Sequence, residues 1–343
     1  MIYFQCDYAE GCHPKVLEKL IETNLEQSKG YGLDAHCDHA RALIREACGT
    51  PDADVHFLVG GTQTNTTVIA SVLRPHQGVI AADTGHIACH ETGAIEATGH
   101  KVLTVPNENG LLSGAQIRAY CQSHYDDAAF EHMPQPGMVY ISYPTESGTL
   151  YTKAQLEDIS AACRDWKLPL FIDGARLGYG LTSPACDLTL PELARLCDVF
   201  YIGGTKCGAL FGEAVVITNP KLKKDFRYAI KQHGGMLAKG RLLGVQYEAL
   251  MENGLYFSIC RQAVDYALEI HDAFAKKSVP LFGTSQTNQQ FVVLTDAQRA
   301  QFDGKFAYEV WGPAETGTVV RFCTSWATTR ANVDALLAAI AAL

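Results

Sequence analysis

The chain has 343 residues, 47% of them hydrophobic and 19% charged, with a formal net charge of −9: room for one large domain and a smaller one, with the composition of a soluble globular protein. The acidic balance, with no Lys/Arg run, argues against a nucleic-acid partner, and no apolar stretch, including Leu336–Leu343, reaches membrane-spanning length. The twelve cysteines show no C-x-x-C spacing, which predicts reduced, small buried thiols in a cytoplasmic protein and no disulfide framework.

The first residues, Met1-Ile-Tyr-Phe-Gln-Cys-Asp7, lack the basic start and long apolar run of a secretory signal. Short apolar runs then alternate with amphipathic segments. Strands are predicted near 55–59, 79–82, 101–105, 138–142, 169–172, 198–202 and 213–217. Helical patterns lie between them at Thr64–Ser71, Ile87–Thr98, Ser113–His124 and Lys153–Trp166. The runs have lost period-2 alternation, as strands buried on both faces do. The pattern predicts an α/β fold with a mostly parallel seven-stranded sheet. The link Cys207–Gly212 is too short for a helical crossover, so the last of these strands should run antiparallel to its neighbour. Beyond residue 220 come helical segments at 221–231, 241–252 and 255–277. Strand-like pieces follow at 290–295, 306–311 and 318–323, then a closing helix capped by Thr328 or Thr329. The expected organisation is an N-terminal segment over 1–30 packing with the small domain, a large domain over 31–245, and a small α+β domain over 246–343.

The chemistry sits where these strands end. The first runs into Gly60-Gly61-Thr62-Gln63-Thr64-Asn65 and a helix. Exposed N–H groups at a helix start, with the Thr62 hydroxyl, suit a phosphate; a plain capped turn would read the same way. The second runs into Asp83-Thr84-Gly85-His86. That histidine could stack on a flat ring or shuttle a proton, or be an ordinary turn histidine. His86, His90 and Glu91 have zinc-like spacing but not the H-E-x-x-H order, and no further ligand is evident, so no metal is expected. The fourth runs into Tyr143-Pro-Thr145-Glu146, where Glu146 is either a base near substrate or a solvated loop carboxylate. The fifth ends in Asp173 behind four apolar residues. A carboxylate buried there needs a cation, either a pyridinium N–H or Arg176. The sixth runs into Gly203-Gly204-Thr205-Lys206, where Thr205 could reach a phosphate and Lys206 could form a Schiff base with an aldehyde cofactor. A Schiff-base lysine, an acid for a ring nitrogen, a ring-stacking histidine and a phosphate cradle on one sheet edge point to pyridoxal phosphate.

These stretches resemble the low-specificity threonine aldolases of the aromatic amino acid β-eliminating lyase / threonine aldolase group, pyridoxal-phosphate enzymes of the aspartate aminotransferase fold (fold type I). The resemblance runs from residue 55 to 326. It rests on Gly60–Asn65, Asp83-x-x-His86-Ile87 with Glu91-x-Gly93-Ala94, Ile172-Asp173-Gly174-Ala175-Arg176, Gly204-Thr205-Lys206, Gly234-Gly235-Met236 and Val320-Arg321-Phe322-Cys323-Thr324-Ser325-Trp326. It implies that Lys206 carries the cofactor, Asp173 holds the pyridine nitrogen, His86 stacks on the ring, and Gly61, Thr62 and Thr205 bind phosphate. Arg176 would approach the cofactor or the substrate carboxylate, and Arg321 would clamp that carboxylate. The chain departs from the family twice. Cys6, in Gln5-Cys6-Asp7, stands where the family has a serine near the substrate carboxylate, and Pro144-Thr145-Glu146 replaces Thr-His-Asn. The implied reaction is cleavage of L-threonine, L-allo-threonine or a related β-hydroxy-α-amino acid to glycine and an aldehyde, by a homodimer or homotetramer. Another pyridoxal-phosphate reaction on the same scaffold, β-elimination, racemisation or transamination, is the nearest rival, and a non-catalytic binding protein of the same fold a further one. A dinucleotide-binding oxidoreductase is disfavoured, because no G-x-G-x-x-G follows the first strand.

Overall fold

Apolar runs without polar alternation must be covered on both faces. In the computed structural model, which describes all 343 residues, seven such runs form one sheet. After a two-residue strand β1 (Ile2–Tyr3) come β2 (Asp54–Leu58), β3 (Gln77–Ala82), β4 (Val102–Val105), β5 (Gln135–Ser142), β6 (Leu170–Asp173), β7 (Val199–Gly203) and β8 (Glu213–Ile217). Their spatial order is β2-β8-β7-β6-β5-β3-β4. The β4–β3–β5–β6–β7 pairings are parallel. β8 is antiparallel to both β7 and β2, as the short link before it demands.

Successive residues serve opposite layers. Leu170, Ile172, Phe200 and Ile202 enter a core cluster of 51 residues on one side, while Phe171, Val199, Tyr201 and Val215 enter one of 18 on the other. A third cluster, of 13 residues, lies beneath the C-terminal sheet. That sheet joins β9 (Gln289–Leu294), β11 (Glu309–Ala314) and β12 (Gly317–Cys323) in the order β11-β12-β9, while the two-residue β10 (Phe306–Ala307) pairs in parallel with β1. Helix Leu255–Lys276 ties the parts together. Its first half (Tyr256, Ile259, Ala263) packs in the largest cluster and its second half (Ile270, Phe274) in the third.

Several elements differ from the sequence expectation. The helix expected over 87–98 is only His86–Cys89 plus a 3-10 turn, Glu96–Thr98. Thr92 and Gly93, with φ of 54° and 71°, stop it between. The expected helix 221–231 breaks at Asp225, which has φ 62°. The strand expected over 306–311 divides into β10 and β11, with a bulge between Val310 and Gly312. Of the two candidate caps of the last helix, Thr329 performs the task, accepting the Asn332 N–H at 3.2 Å. Helices Pro14–Glu22 and Ala35–Cys48 were not foreseen.

Candidate active site

In an open α/β sheet, the loops leaving the carboxyl ends of the strands share one rim. Gly60–Thr62, His86, Glu146, Asp173, Thr205 and Lys206 meet there around an inner cavity of about 190 Å³. An outer cleft of about 480 Å³ adjoins it and shares His86, Glu146, Arg176 and Lys206; Tyr8, Trp311 and Arg321 close its far side.

Asp173 ends β6 and is 4% exposed. Its Oδ1 accepts the Tyr201 hydroxyl at 2.5 Å and the Ala175 N–H at 3.0 Å. Its Oδ2 accepts the Tyr140 hydroxyl at 2.6 Å and the Asn65 amide at 3.1 Å. Register explains the tyrosines: Tyr140 lies opposite Phe171, two residues before Asp173, and Tyr201 lies two beyond Val199, the other partner of Phe171. Burial alone would raise the carboxyl, but the charge of His86 and the tyrosine hydroxyls hold it below the usual range. It does not pair with Arg176.

His86 is fixed from two sides. Its Nδ1 lies 2.8 Å from Glu91 Oε1 and its backbone N–H donates to Glu146 Oε1 at 2.9 Å. Glu91 is turned inward by the break at Thr92–Gly93 and also accepts the Asn65 amide at 2.7 Å. Burial lowers His86, yet the Glu91 hydrogen bond and the nearby Asp173 charge raise it above an ordinary histidine. Glu146 is no solvated loop carboxylate. It is half-buried, accepts the Ser142 hydroxyl at 2.6 Å, and burial raises it above the usual carboxylate range.

Lys206 follows β7 and lines both spaces. Burial and then the Arg176 guanidinium hold its amine below the ordinary lysine value, against the pull of Asp7, Asp173 and Glu213. Arg176 is engaged by Asp7, Nε to Oδ2 at 2.7 Å and Nη2 to Oδ1 at 3.0 Å, and Asn288 adds a third hydrogen bond to that carboxylate at 3.0 Å. Arg321, on β12, donates to Gln289 Oε1 at 2.7 Å and to the Gln5 carbonyl at 3.0 Å, and pairs with Glu309. Cys6 is half-buried, and it is its neighbour Tyr8 that lines the outer cleft. Away from the rim, His39, Glu248 and Glu252 cluster, but Lys19 stands 3.4 Å from Glu248 and 2.8 Å from Glu252 and already supplies the cation.

Asp7 carries a stability prediction. Burial raises its carboxyl, but Arg176, Lys206 and Asn288 outweigh that and bring it down to about 2. A depressed carboxyl stabilises the fold fully above its unfolded value, near 4, and loses this as pH falls toward 2. Asp7→Asn should therefore lower unfolding free energy at neutral pH by about 3–5 kcal/mol, because Arg176 is left buried and unpaired. The gap to wild type should close as pH drops from about 4 toward 2. Urea denaturation across that range measures it; a gap independent of pH would remove the ion pair as its cause.

Tyr140, Tyr201 and Glu213 are not among the residues the sequence points to, and Glu91 figures there only in a zinc-like spacing and in the stretch Glu91-x-Gly93-Ala94 of the resemblance, not as the partner of His86. Of the first three, Glu213 alone carries a legible signal, a lone charge opening the otherwise apolar strand Glu213-Ala-Val-Val-Ile217.

The residues fit pyridoxal phosphate. Asp173 is a buried acid at a strand end, and Lys206 opens onto the same cavity. Helix Gly61–Val72 begins without a side-chain cap, and a Cβ placed on Gly60 would meet nothing within 4 Å, so the helix start faces open space.

The comparisons with known proteins agree. The chain is 30% identical to a low specificity L-threonine aldolase of Pseudomonas sp. (strain NCIMB 10558), over 99% of this chain and 97% of that one. A Leishmania major threonine aldolase structure superposes with a TM-score of 0.96 at 45% identity, covering 100% of this chain and 99% of that one. A Thermus thermophilus aspartate aminotransferase, 13% identical, aligns with a TM-score of 0.71 over 100% of this chain and 91% of its own. It shows the shared fold alone, that of the pyridoxal-phosphate-dependent fold type I enzymes. With residues 6–297 matching the family described as Beta-eliminating lyase, the chain belongs to the beta-eliminating lyase family.

Proposed function

We propose that this protein is a pyridoxal-phosphate-dependent aldolase that cleaves L-threonine, L-allo-threonine or a related β-hydroxy-α-amino acid to glycine and an aldehyde, with the cofactor held as a Schiff base on Lys206. The observation that carries the reading is the convergence of Lys206, Asp173 and His86 on one cavity. The full-length likeness to threonine aldolases supports it.

Bound pyridoxal phosphate supplies an electron sink for the pair left on Cα when a bond to that carbon breaks. Asp173 keeps the proton on the pyridine nitrogen, for which it remains ionised. Lys206, biased toward the neutral amine by burial, is the nucleophile. His86 gives Nδ1 to Glu91, which leaves Nε2 to receive the proton of the substrate hydroxyl. Because Glu91 and Asp173 raise His86, its neutral form fills only as pH climbs past the ordinary histidine value. Glu146 steadies the His86 backbone and is the second candidate acceptor of that proton. Arg321 offers the substrate carboxylate a planar two-pronged donor, with Glu309 as the group to be displaced. An apolar recess of about 540 Å³ beside Glu146, lined by Phe282, Phe291 and Trp311, has room for varied substituents on Cβ. Leu17, Ile21, Leu25, Tyr31 and Leu33 near the N-terminus are exposed apolar side chains, surface that a homodimer or homotetramer would cover. We place the enzyme in the cytoplasm.

The test is optical and chemical. Protein supplied with pyridoxal phosphate should turn yellow, its band should move to longer wavelength on adding glycine, and threonine should yield glycine and acetaldehyde. An amino acid cleaved to pyruvate or another oxo acid and ammonia would move the assignment to β-elimination. A protein that stays colourless would overturn the cofactor assignment.

A further inference from the structure

Glu213 opens β8 between the two turns that bound the inner cavity. Its ladder partners are Leu58 on β2, just before Gly60–Thr62, and Gly203 on β7, just before Thr205 and Lys206. The side chain is 3% exposed and lines the same cavity as Gly60, Gly61 and Thr62. Its Oε1 accepts the Thr205 hydroxyl at 2.9 Å, and that hydroxyl in turn accepts the Gly212 N–H at 3.0 Å. Its Oε2 is buried and has no hydrogen-bond partner. An orphaned acid oxygen thus lines the space ahead of an uncapped helix start.

We infer that Glu213 is a phosphate-binding acid, which keeps a proton on Oε2 and donates it to an oxygen of the cofactor's phosphate ester held at the N-terminus of helix Gly61–Val72. The inference rests on the reading that the site takes pyridoxal phosphate.

An ionised carboxylate beside a phosphate dianion would expel it, since like charges in contact share a proton or separate. With one proton between them the pair becomes a hydrogen bond, and Glu213 joins the helix N–H groups and Thr62 as a donor. No other reactant is consumed. The groups that face Glu213 allow this. Burial dominates and lifts its carboxyl to about 8; the Thr205 hydrogen bond and Lys206 pull it down, and Asp173 pushes it up. Tyr201 and Tyr247, which also face it, stay neutral. Above that pH the cofactor-free protein must take up one proton to bind the dianion, and affinity should fall about tenfold per pH unit.

Pyridoxamine 5′-phosphate is the probe, because it has no aldehyde for Lys206. Calorimetric titration of cofactor-free protein near pH 7 and near pH 9, in buffers of different ionisation enthalpy, counts the protons. Wild type should take up one proton more than Glu213→Gln near pH 9 and the same number near pH 7. The amide keeps a donor but cannot ionise, so the variant should bind about tenfold tighter than wild type near pH 9. Equal proton uptake in the two proteins near pH 9 overturns the role of Glu213 and leaves the cofactor assignment standing. Failure of wild type to bind the probe at any pH overturns both. A measurement on wild type alone carries the same test if the variant does not fold. Wild-type affinity for the probe should fall about tenfold between about pH 7 and about pH 9, and an affinity constant across that range rejects the shared proton.

Discussion

Asp173→Asn is expected to fold and to bind pyridoxal phosphate, yet to lose roughly 10²- to 10⁴-fold of the cleavage rate, from the 3–5 kcal/mol typical of removing one partner of a buried ion pair. The fold can absorb the change. The new amide meets the Tyr140 and Tyr201 hydroxyls, which can rotate to accept, and Asn65, whose Oδ1 has no partner now and can turn to accept. What is lost is the charge that keeps the pyridine nitrogen protonated. Asp173 and His86 also perturb one another, so the acid limb of kcat/KM should move to lower pH in the variant. Threonine cleavage rates, cofactor binding by absorbance and the pH profile check this together. A variant that turns over at the wild-type rate would remove Asp173 from the mechanism.

The sheet was legible because burial on both faces leaves a plain mark: continuous apolar runs such as Met138–Ile141 and Val199–Ile202, the first closed by Ser142 and the second by Gly203. Asp173 could be read because a charge immediately after such a run has few structural explanations, and Lys206 because it follows the next run behind the glycine turn Gly203-Gly204-Thr205. The residues that complete their surroundings left less trace. Tyr140 and Tyr201 look like any core aromatics, and only the pairing of β5, β6 and β7 brings both hydroxyls to one carboxylate. The inward turn of Glu91 depends on left-handed backbone at Thr92 and Gly93; the sequence favoured a continuous helix there. Asp7 and Arg176 are 169 positions apart, and no local pattern could pair them. The alternative partner considered for Asp173, an Arg176 guanidinium, is excluded by that long-range contact. Cys6 stands where the resemblance expects a serine, whereas the acid beside it, Asp7, anchors Arg176.

Lys206→Ala is expected to lower threonine cleavage by up to about 10⁶-fold, the scale on which loss of a covalent nucleophile is felt. The variant should still fold. Removing the amine leaves Asp7 paired with Arg176 and Asp173 held by its tyrosines, so no buried charge loses its only partner. Glu213 loses the Lys206 charge that lowers it and should move further toward its neutral form. Pyridoxal phosphate would then be held by non-covalent contacts alone, those of the helix start, Thr62, Glu213 and Asp173, and should wash out more easily. Two measurements separate this from general damage. Borohydride treatment of the loaded wild-type protein fixes the cofactor to the amine that carries it, and digestion should find the tag on the peptide containing Lys206 and on no other. A small exogenous amine such as methylamine should restore part of the activity of Lys206→Ala, because the missing group is an amine and the cavity around it remains. A tag on a different lysine would relocate the chemistry. Full activity in Lys206→Ala would mean that the convergence of Lys206, Asp173 and His86 on one cavity is packing, not catalysis.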